Sequence, residues 1–345
     1  MRGGSYSVAA RINRSLDTDM KKAPAISVIV PVYKVSQFIE RCAVSLMEQT
    51  FEDVEYIFVD DCSPDDSRAR LDAVLAKYPE RNVRILTHER NCGLPSSRKT
   101  GFEASRGSFI YQCDGDDWVE PTILEKLHSA AVRNGADFVY CDFFLTFGEN
   151  ERYMHNPAYK TPDEMLRKGF LSGDCKYNWW NKLISRDLFE SVEFPVNHFK
   201  GGEDMVVIGM LSRAHALAYV PEALYHYVKT NAGAISEGFS RQRLDSIRHN
   251  AGQALKALED YPGDLTVEKA LFKLNVKLPF LFTTDERKYA VWKEWFPEAN
   301  AYIFKNAELP LRTKMLQWCA SRDLWLAVKI YYVLVFKFIY GIIYR

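Results

Sequence analysis

Residues 27–67 read SVIVPVYKVSQFIERCAVSLMEQTFEDVEYIFVDDCSPDDS, and this stretch decides the fold. Ile26–Val30 is a short, continuous apolar run ending at Pro31, the pattern of a strand buried on both faces. A helix follows from about Ser36, with Phe38, Cys42 and Leu46 forming an apolar stripe at a spacing of four. Val54–Val59 is a second apolar strand that runs directly into Asp60 and Asp61. Ser63-Pro64-Asp65-Asp66 then reads as a helix start: a capping hydroxyl, a proline in the first turn, and acids facing the dipole.

The same rhythm continues outward. Val83–Leu86 is a third strand, Leu94–Ala104 a helix, and Phe109–Cys113 a fourth strand ending at Asp114. Pro121 opens another helix with Ile123, Leu124, Leu127 and Ala131 on one face, and Phe138–Cys141 is a fifth strand. Such alternation predicts an α/β fold with a mainly parallel sheet flanked by helices. After residue 150 the pattern is less regular. Ala216–Val220 and Ala223–Tyr227, split by Pro221-Glu222, read as two short strands near the sheet edge, and from about Arg241 the chain reads as mostly helical.

Composition narrows the function. Lysine plus arginine and aspartate plus glutamate both number 45 in 345 residues, so the net charge is zero and a nucleic-acid partner is not expected. The seven cysteines are scattered and never spaced as C-x-x-C, which points away from zinc or disulfides and toward a reducing compartment. Residues 1–24 hold no apolar core of signal-peptide length and read as a flexible leader, with Met20 an alternative start.

In open α/β sheets, ligands bind outside the carboxyl ends of the strands. Here those ends carry Pro31-Val32-Tyr33, Asp60-Asp61 and Asp114-Gly115-Asp116-Asp117. Three acids in four residues repel one another unless a cation compensates, and a hard divalent ion such as Mg²⁺ or Mn²⁺ suits oxygen ligands beside a substrate phosphate. Gly115 lets backbone approach closely. Asp65 and Asp66, by contrast, read as first-turn helix acids.

The quoted stretch resembles the opening of the family-2 glycosyltransferases, and NCGLPSSRKTGFEASRGSFIYQCDGDDWVEP, residues 91–121, resembles their next block. The resemblance covers roughly residues 26 to 140. It implies the GT-A fold and a UDP-sugar donor. It places Pro31, Val32 and Tyr33 at the base, Asp61 near the uracil, Arg98 near the donor, Asp116 on the metal, and Asp114 by the ribose or the metal. Cys62 and Lys99 depart from the common glycine and asparagine. Gly201-Gly202-Glu203-Asp204 resembles the family's acidic motif, which implies Asp204 as catalytic base, with Glu203 as second choice or an acceptor contact, and an inverting displacement. Trp179 and Trp180, with Asn181 and Lys182, resemble a stretch often found upstream of that motif. They either meet an acceptor sugar or pack in the core. His226 reads as a structural histidine, with a place near the metal or diphosphate as the other option.

The expected organisation is a catalytic domain over 25–240, with a nucleotide half to about 145 and an acceptor half from about 146, then a helical region over 241–345. Leu324–Arg345 is rich in aromatics and β-branched residues, with Lys329 and Lys337 about 80° apart on a helix. Two readings stand: a helix at 323–345 lying in a membrane surface with its lysines toward anionic lipid, or one docked on the protein's own core. The combined expectation is a transferase building surface polysaccharide or lipopolysaccharide from a glycan or lipid-linked acceptor, at the inner face of the cytoplasmic membrane. The alternatives are a non-catalytic nucleotide-sugar-binding relative and a nucleotidyltransferase. The latter lacks its glycine-rich basic loop here, and no G-x-G-x-x-G supports a nicotinamide enzyme.

Overall fold

A computed structural model describes residues 23–194, 203–231 and 240–335. Most of the leader, Met20, Gly201, Gly202 and residues 336–345 with Lys337 lie outside the described residues. The chain divides into two compact units, one of residues 1–158 and 178–250, the other of residues 159–177 and 251–345.

The first unit is built on one sheet. Its strands are β1 (Ile26–Val32), β2 (Val54–Asp60), β3 (Val83–Thr87), β4 (Phe109–Gln112), β5 (Trp118–Val119), β6 (Phe138–Phe147), β7 (Asn150–Met154), β8 (Lys182–Ser185) and β9 (Leu217–Val228). They lie in the order β3-β2-β1-β4-β8-β6-β9-β5, with β7 beside β6. The β1–β2, β1–β4, β2–β3 and β6–β9 ladders are parallel. The ladders made by β5, β7 and β8 are antiparallel. The parallel part coincides with the strand–helix alternation, because parallel neighbours need a crossover. Here α1 (Ile39–Met47), α2 (Ser67–Leu75) and α3 (Leu94–Ala104) supply it, and α4 (Ile123–Asn134) precedes β6.

Three expectations are corrected. Pro31 lies inside β1 rather than ending it, tolerated because β1 pairs β4 only as far as Ile29 and its missing N–H falls beyond that ladder. Ser63 does not cap α2. Its Oγ donates to Asp65, whose carboxylate accepts from the Ser67 and Ser36 N–H groups and so does the capping itself. Those hydrogen bonds hold Asp65 down to about 2 against its partial desolvation. The two strands expected around Pro221 are one strand, β9, with Pro221-Glu222 absorbed in a bulge opposite Cys141 and Asp142.

β1 and β2 are buried along their whole length. Ile39, Cys42, Ala43 and Leu46 of α1 pack on them, while Phe38 is only half-buried. Glu55 is fully buried on β2, where it accepts from Ser27 Oγ at 2.6 Å and Arg84 Nη2 at 2.7 Å. A buried carboxylate needs such partners.

In the second unit, Ala270, Leu271, Leu274, Ala299 and Ile303 form a core cluster. The helix Trp325–Tyr331 buries Val328 and stacks Trp325 on Tyr289 at 5.0 Å. Leu326, Ile330, Val333 and Leu334 stay exposed at helical spacing. Lys329 is bound to Glu286 at 2.7 Å, so the lysine expected to face lipid is engaged within the protein. The segment thus docks one face and leaves another apolar face open. Among the described residues, no helix is long and apolar enough to cross a membrane.

Gly101 lets α3 lie against the sheet, since a Cβ there would sit 2.4 Å from Ile29 Cγ2. Gly101→Ala should cost about 1–3 kcal/mol in thermal unfolding through overpacking. Gly252→Ala, in a helix where nothing lies within 4 Å, should instead be neutral or stabilising by about 0.5–1 kcal/mol.

Candidate active site

The site grows from the turn after β4. Cys113 N–H still bonds Ile29 O on β1, and Gly115 follows so close to Pro31 that a Cβ would meet its carbonyl oxygen at 2.8 Å. The backbone that Gly115 approaches is therefore the protein's own. Asp117 clamps the other side, accepting from Tyr225 Oη at 2.6 Å and Val228 N–H at 2.7 Å. Tyr225 Oη in turn accepts from Asp114 N–H. Asp117 is almost wholly buried, and desolvation followed by the charges of Asp116 and Asp114 pushes its carboxyl well up. It anchors the turn to β9, which corrects the expectation that it serves alongside Asp114 and Asp116.

Those two acids differ. Burial, then the charge of Asp114, raises Asp116, which accepts from Asn231 Nδ2 at 2.8 Å. Asp114 is partly open, and one of its oxygens takes Arg98 Nη2 at 2.9 Å. Arg98, on α3, gives its other terminal nitrogen to Asp204 Oδ1, also at 2.9 Å. Its guanidinium carbon lies 5.3 Å from the centre of the Trp179 ring. A buried guanidinium thus joins the acidic turn to Asp204, which sits in the 3₁₀ turn Glu203–Met205 with its carboxylate one-third exposed.

At the opposite end, Pro31 and Val32 are buried in β1, and Tyr33 is half-buried just beyond it. Asp61 lies at the end of β2 with both oxygens engaged: Oδ1 takes Cys92 N–H and His88 Nδ1 at 2.7 Å, and Oδ2 takes Gly93 N–H at 2.8 Å. His88 Nε2 meets Thr100 Oγ1. In the structure Asp61 holds the loop that leads into α3.

Trp180, Asn181 and Lys182, expected as possible acceptor contacts, are buried, and the packing alternative is the one the structure shows. Trp180 stacks on Tyr225 at 4.4 Å, Asn181 Nδ2 donates to Cys141 O, and Lys182 Nζ donates to Asn181 Oδ1. The cause is the central place of β8, between β4 and β6. His226 is structural as well, held between Glu151 and Glu120 and stacked on Trp118 at 3.3 Å.

Sequence reasoning passed over Tyr225, Tyr227 and Lys229. Strand alternation puts Tyr225 and Tyr227 on one side of β9, the side that meets the acids, and Lys229 follows just past its end. Burial and the charges of Asp117, Asp114, Asp116 and Asp204 raise the Tyr227 phenol to about 12, and Lys229 Nζ lies 4.3 Å from its ring centre. The period-two pattern Tyr225-x-Tyr227-x-Lys229 was the available signal.

The family model described as Glycosyl transferase family 2 matches residues 27–208, more than half of the chain. The chain belongs to that family. It is 30% identical over 249 residues to the uncharacterized glycosyltransferase EpsJ of Bacillus subtilis (strain 168), covering 70% of this chain and 71% of that one. The structure of residues 1–349 of S. aureus TarS, in complex with UDP-GlcNAc, superposes with a TM-score of 0.65 at 18% identity, covering 89% of this chain and 91% of that 1–349 chain. A mannosyltransferase from Pyrobaculum calidifontis, in complex with GDP-Man and Mn²⁺, gives 0.51 at 16% identity, over 92% and 90% of the two chains. This family-2 glycosyltransferase therefore has the GT-A fold, with the acidic turn at the carboxyl end of β4.

Tyr225→Phe removes the hydroxyl that joins Asp117 to Asp114 N–H, and should destabilise the enzyme by about 1–3 kcal/mol. Tyr227→Phe, whose hydroxyl makes no hydrogen bond among the described residues, should leave the denaturation midpoint nearly unchanged. Equal effects from the two changes would contradict the anchoring role given to Tyr225.

Proposed function

We propose that the enzyme is an inverting transferase moving a sugar from a UDP-sugar to a hydroxyl of a glycan or lipid-linked acceptor, of the hexosyl- or N-acetylhexosaminyl class. The observation that carries this reading is the Arg98 bridge, which holds Asp204 and Asp114 on one guanidinium. A sugar hydroxyl is a weak nucleophile, and a partly open carboxylate held beside the donor-binding turn is placed to accept its proton. The oxygen–anomeric carbon bond forms as the bond from that carbon to the diphosphate oxygen breaks, and UDP leaves. With one base on the face opposite the leaving group, the configuration inverts. Glu203, next in the same turn, is the second candidate base or an acceptor contact.

The acidic turn fits a hard cation. Its donors are all oxygen, and burial first and the charge of Asp114 second raise the Asp116 carboxyl, a pair that a cation would relieve. Asp116, with Asp114 beside it, would hold Mg²⁺ or Mn²⁺, and when bound the ion supplies positive charge against the departing diphosphate. Pro31, Val32, Tyr33 and Asp61 would frame the base, and Gly115 keeps the turn close to it. TarS in complex with UDP-GlcNAc supports a uridine carrier, while GDP-Man on the mannosyltransferase makes GDP the control.

The catalytic domain spans 25–240 in this reading, with the helical region after it. The product belongs to surface polysaccharide or lipopolysaccharide. The enzyme works at the inner face of the cytoplasmic membrane, with the exposed stripe of Leu326, Ile330, Val333 and Leu334 turned toward lipid.

Calorimetric titration with UDP and with GDP, in Mn²⁺ and in chelator, tests the donor site. UDP should bind in a metal-dependent way, and Asp116→Ala should abolish that dependence. Asp204→Asn should keep UDP binding while transfer falls about 10²–10⁴-fold. No binding of UDP under either condition would point to another carrier or to a non-catalytic relative.

A further inference from the structure

A second recess adjoins the acidic turn. Its volume is about 170 Å³, and its walls include Gln37, Phe38 and Arg41 at the start of α1, Trp118 on β5, Thr230 after β9, and Asp116. A whole-ligand pocket typically measures about 300–1,000 Å³, so this one suits a single ring rather than a nucleotide-sugar. In the sheet, β9 and β5 lie beyond β4, on the side away from the β1–β2 end that would take the base. Asp116 and Asp117 belong to both the recess and the acidic turn.

We infer that this recess is the acceptor subsite, binding one sugar unit, and that Arg41 is its specificity-determining residue. The inference rests on the transferase reading above and adds where the acceptor sits. Arg41 is exposed and has no carboxylate partner among the described residues. Its guanidinium carbon lies 3.8 Å from the Trp118 ring centre. Trp118 is fixed in turn by stacking on His226, which two glutamates hold. A cation on a rigid platform is pre-organised for a ligand, which lowers the ordering cost of binding. Asp116 and Asp117 line the same recess as Arg41. Asp117 is taken by Tyr225 and Val228, and Asp116 would be taken by the metal, so Arg41 is the charged group left to a ligand, and a sugar hydroxyl can accept from it. Gln37 and Thr230, both exposed, add an amide and a hydroxyl of the kind that read sugar hydroxyls.

The test is saturation-transfer NMR of the full chain, with UDP and Mn²⁺ present, using methyl glycosides of glucose, galactose and N-acetylglucosamine as probes. At least one should bind the wild type and weaken about tenfold in Arg41→Ala, the worth of one charge-assisted hydrogen bond, with UDP affinity and melting temperature unchanged. Should Arg41→Ala fold poorly, Thr230→Val, which leaves the Trp118 stack alone, should show a weakening of its own. No glycoside binding, or binding indifferent to both substitutions, overturns the subsite. If UDP itself fails to bind the wild type, the donor reading fails first and the subsite falls with it.

Discussion

Arg98 holds a charge that cannot be left alone. Its side chain is almost wholly buried, and burying an unpaired guanidinium costs several kcal/mol. Asp114 and Asp204 supply the compensation, one 16 residues away in sequence and the other 106. The dependence runs both ways, because each carboxylate beside Asp116 and Asp117 needs a nearby cation. Two segments far apart in the chain are therefore held at one point, the mouth of β4. Trp179 lies against the guanidinium, so the bridge also rests on an aromatic face.

The rest of the acidic turn is organised around that point. Gly115 presses the turn onto β1, and Asp117 ties it to β9 through Tyr225 and Val228. These are ordinary packing and hydrogen-bonding devices, and their effect is to leave Asp114 and Asp116 as the acids of the turn that stay partly exposed. Rigid support behind a partly open acid pair is what the metal and diphosphate site proposed for it would require.

Much of this was legible in the sequence, and the reason is locality. The first four strands and three helices each carry their own periodicity, and parallel strands joined by crossover helices leave little choice of topology. Asp114, Asp116, Arg98 and Asp204 stood in motifs short enough to recognise. What sequence hid depends on long-range pairing. β5 and β8 are two and four residues long, too short for a pattern. Pro221 reads as a break, and only the β6 register turns it into a bulge. Tyr225 and Tyr227 matter because β9 passes the acidic turn, which no local rule reveals. Trp180, Asn181 and Lys182 allow an acceptor contact or core packing from the sequence, and their burial at the start of the central strand β8, with Asn181 bonded to Cys141 O and to Lys182, decides for packing.

The proposed chemistry is a single displacement in which one carboxylate, Asp204, would take the acceptor proton. The most direct measurement is proton NMR of the first product formed from an α-linked UDP-sugar, read before any anomeric exchange. A β-linked product is the expected result. An α-linked product, meaning retention, would contradict a single displacement and remove Asp204 from the role of base.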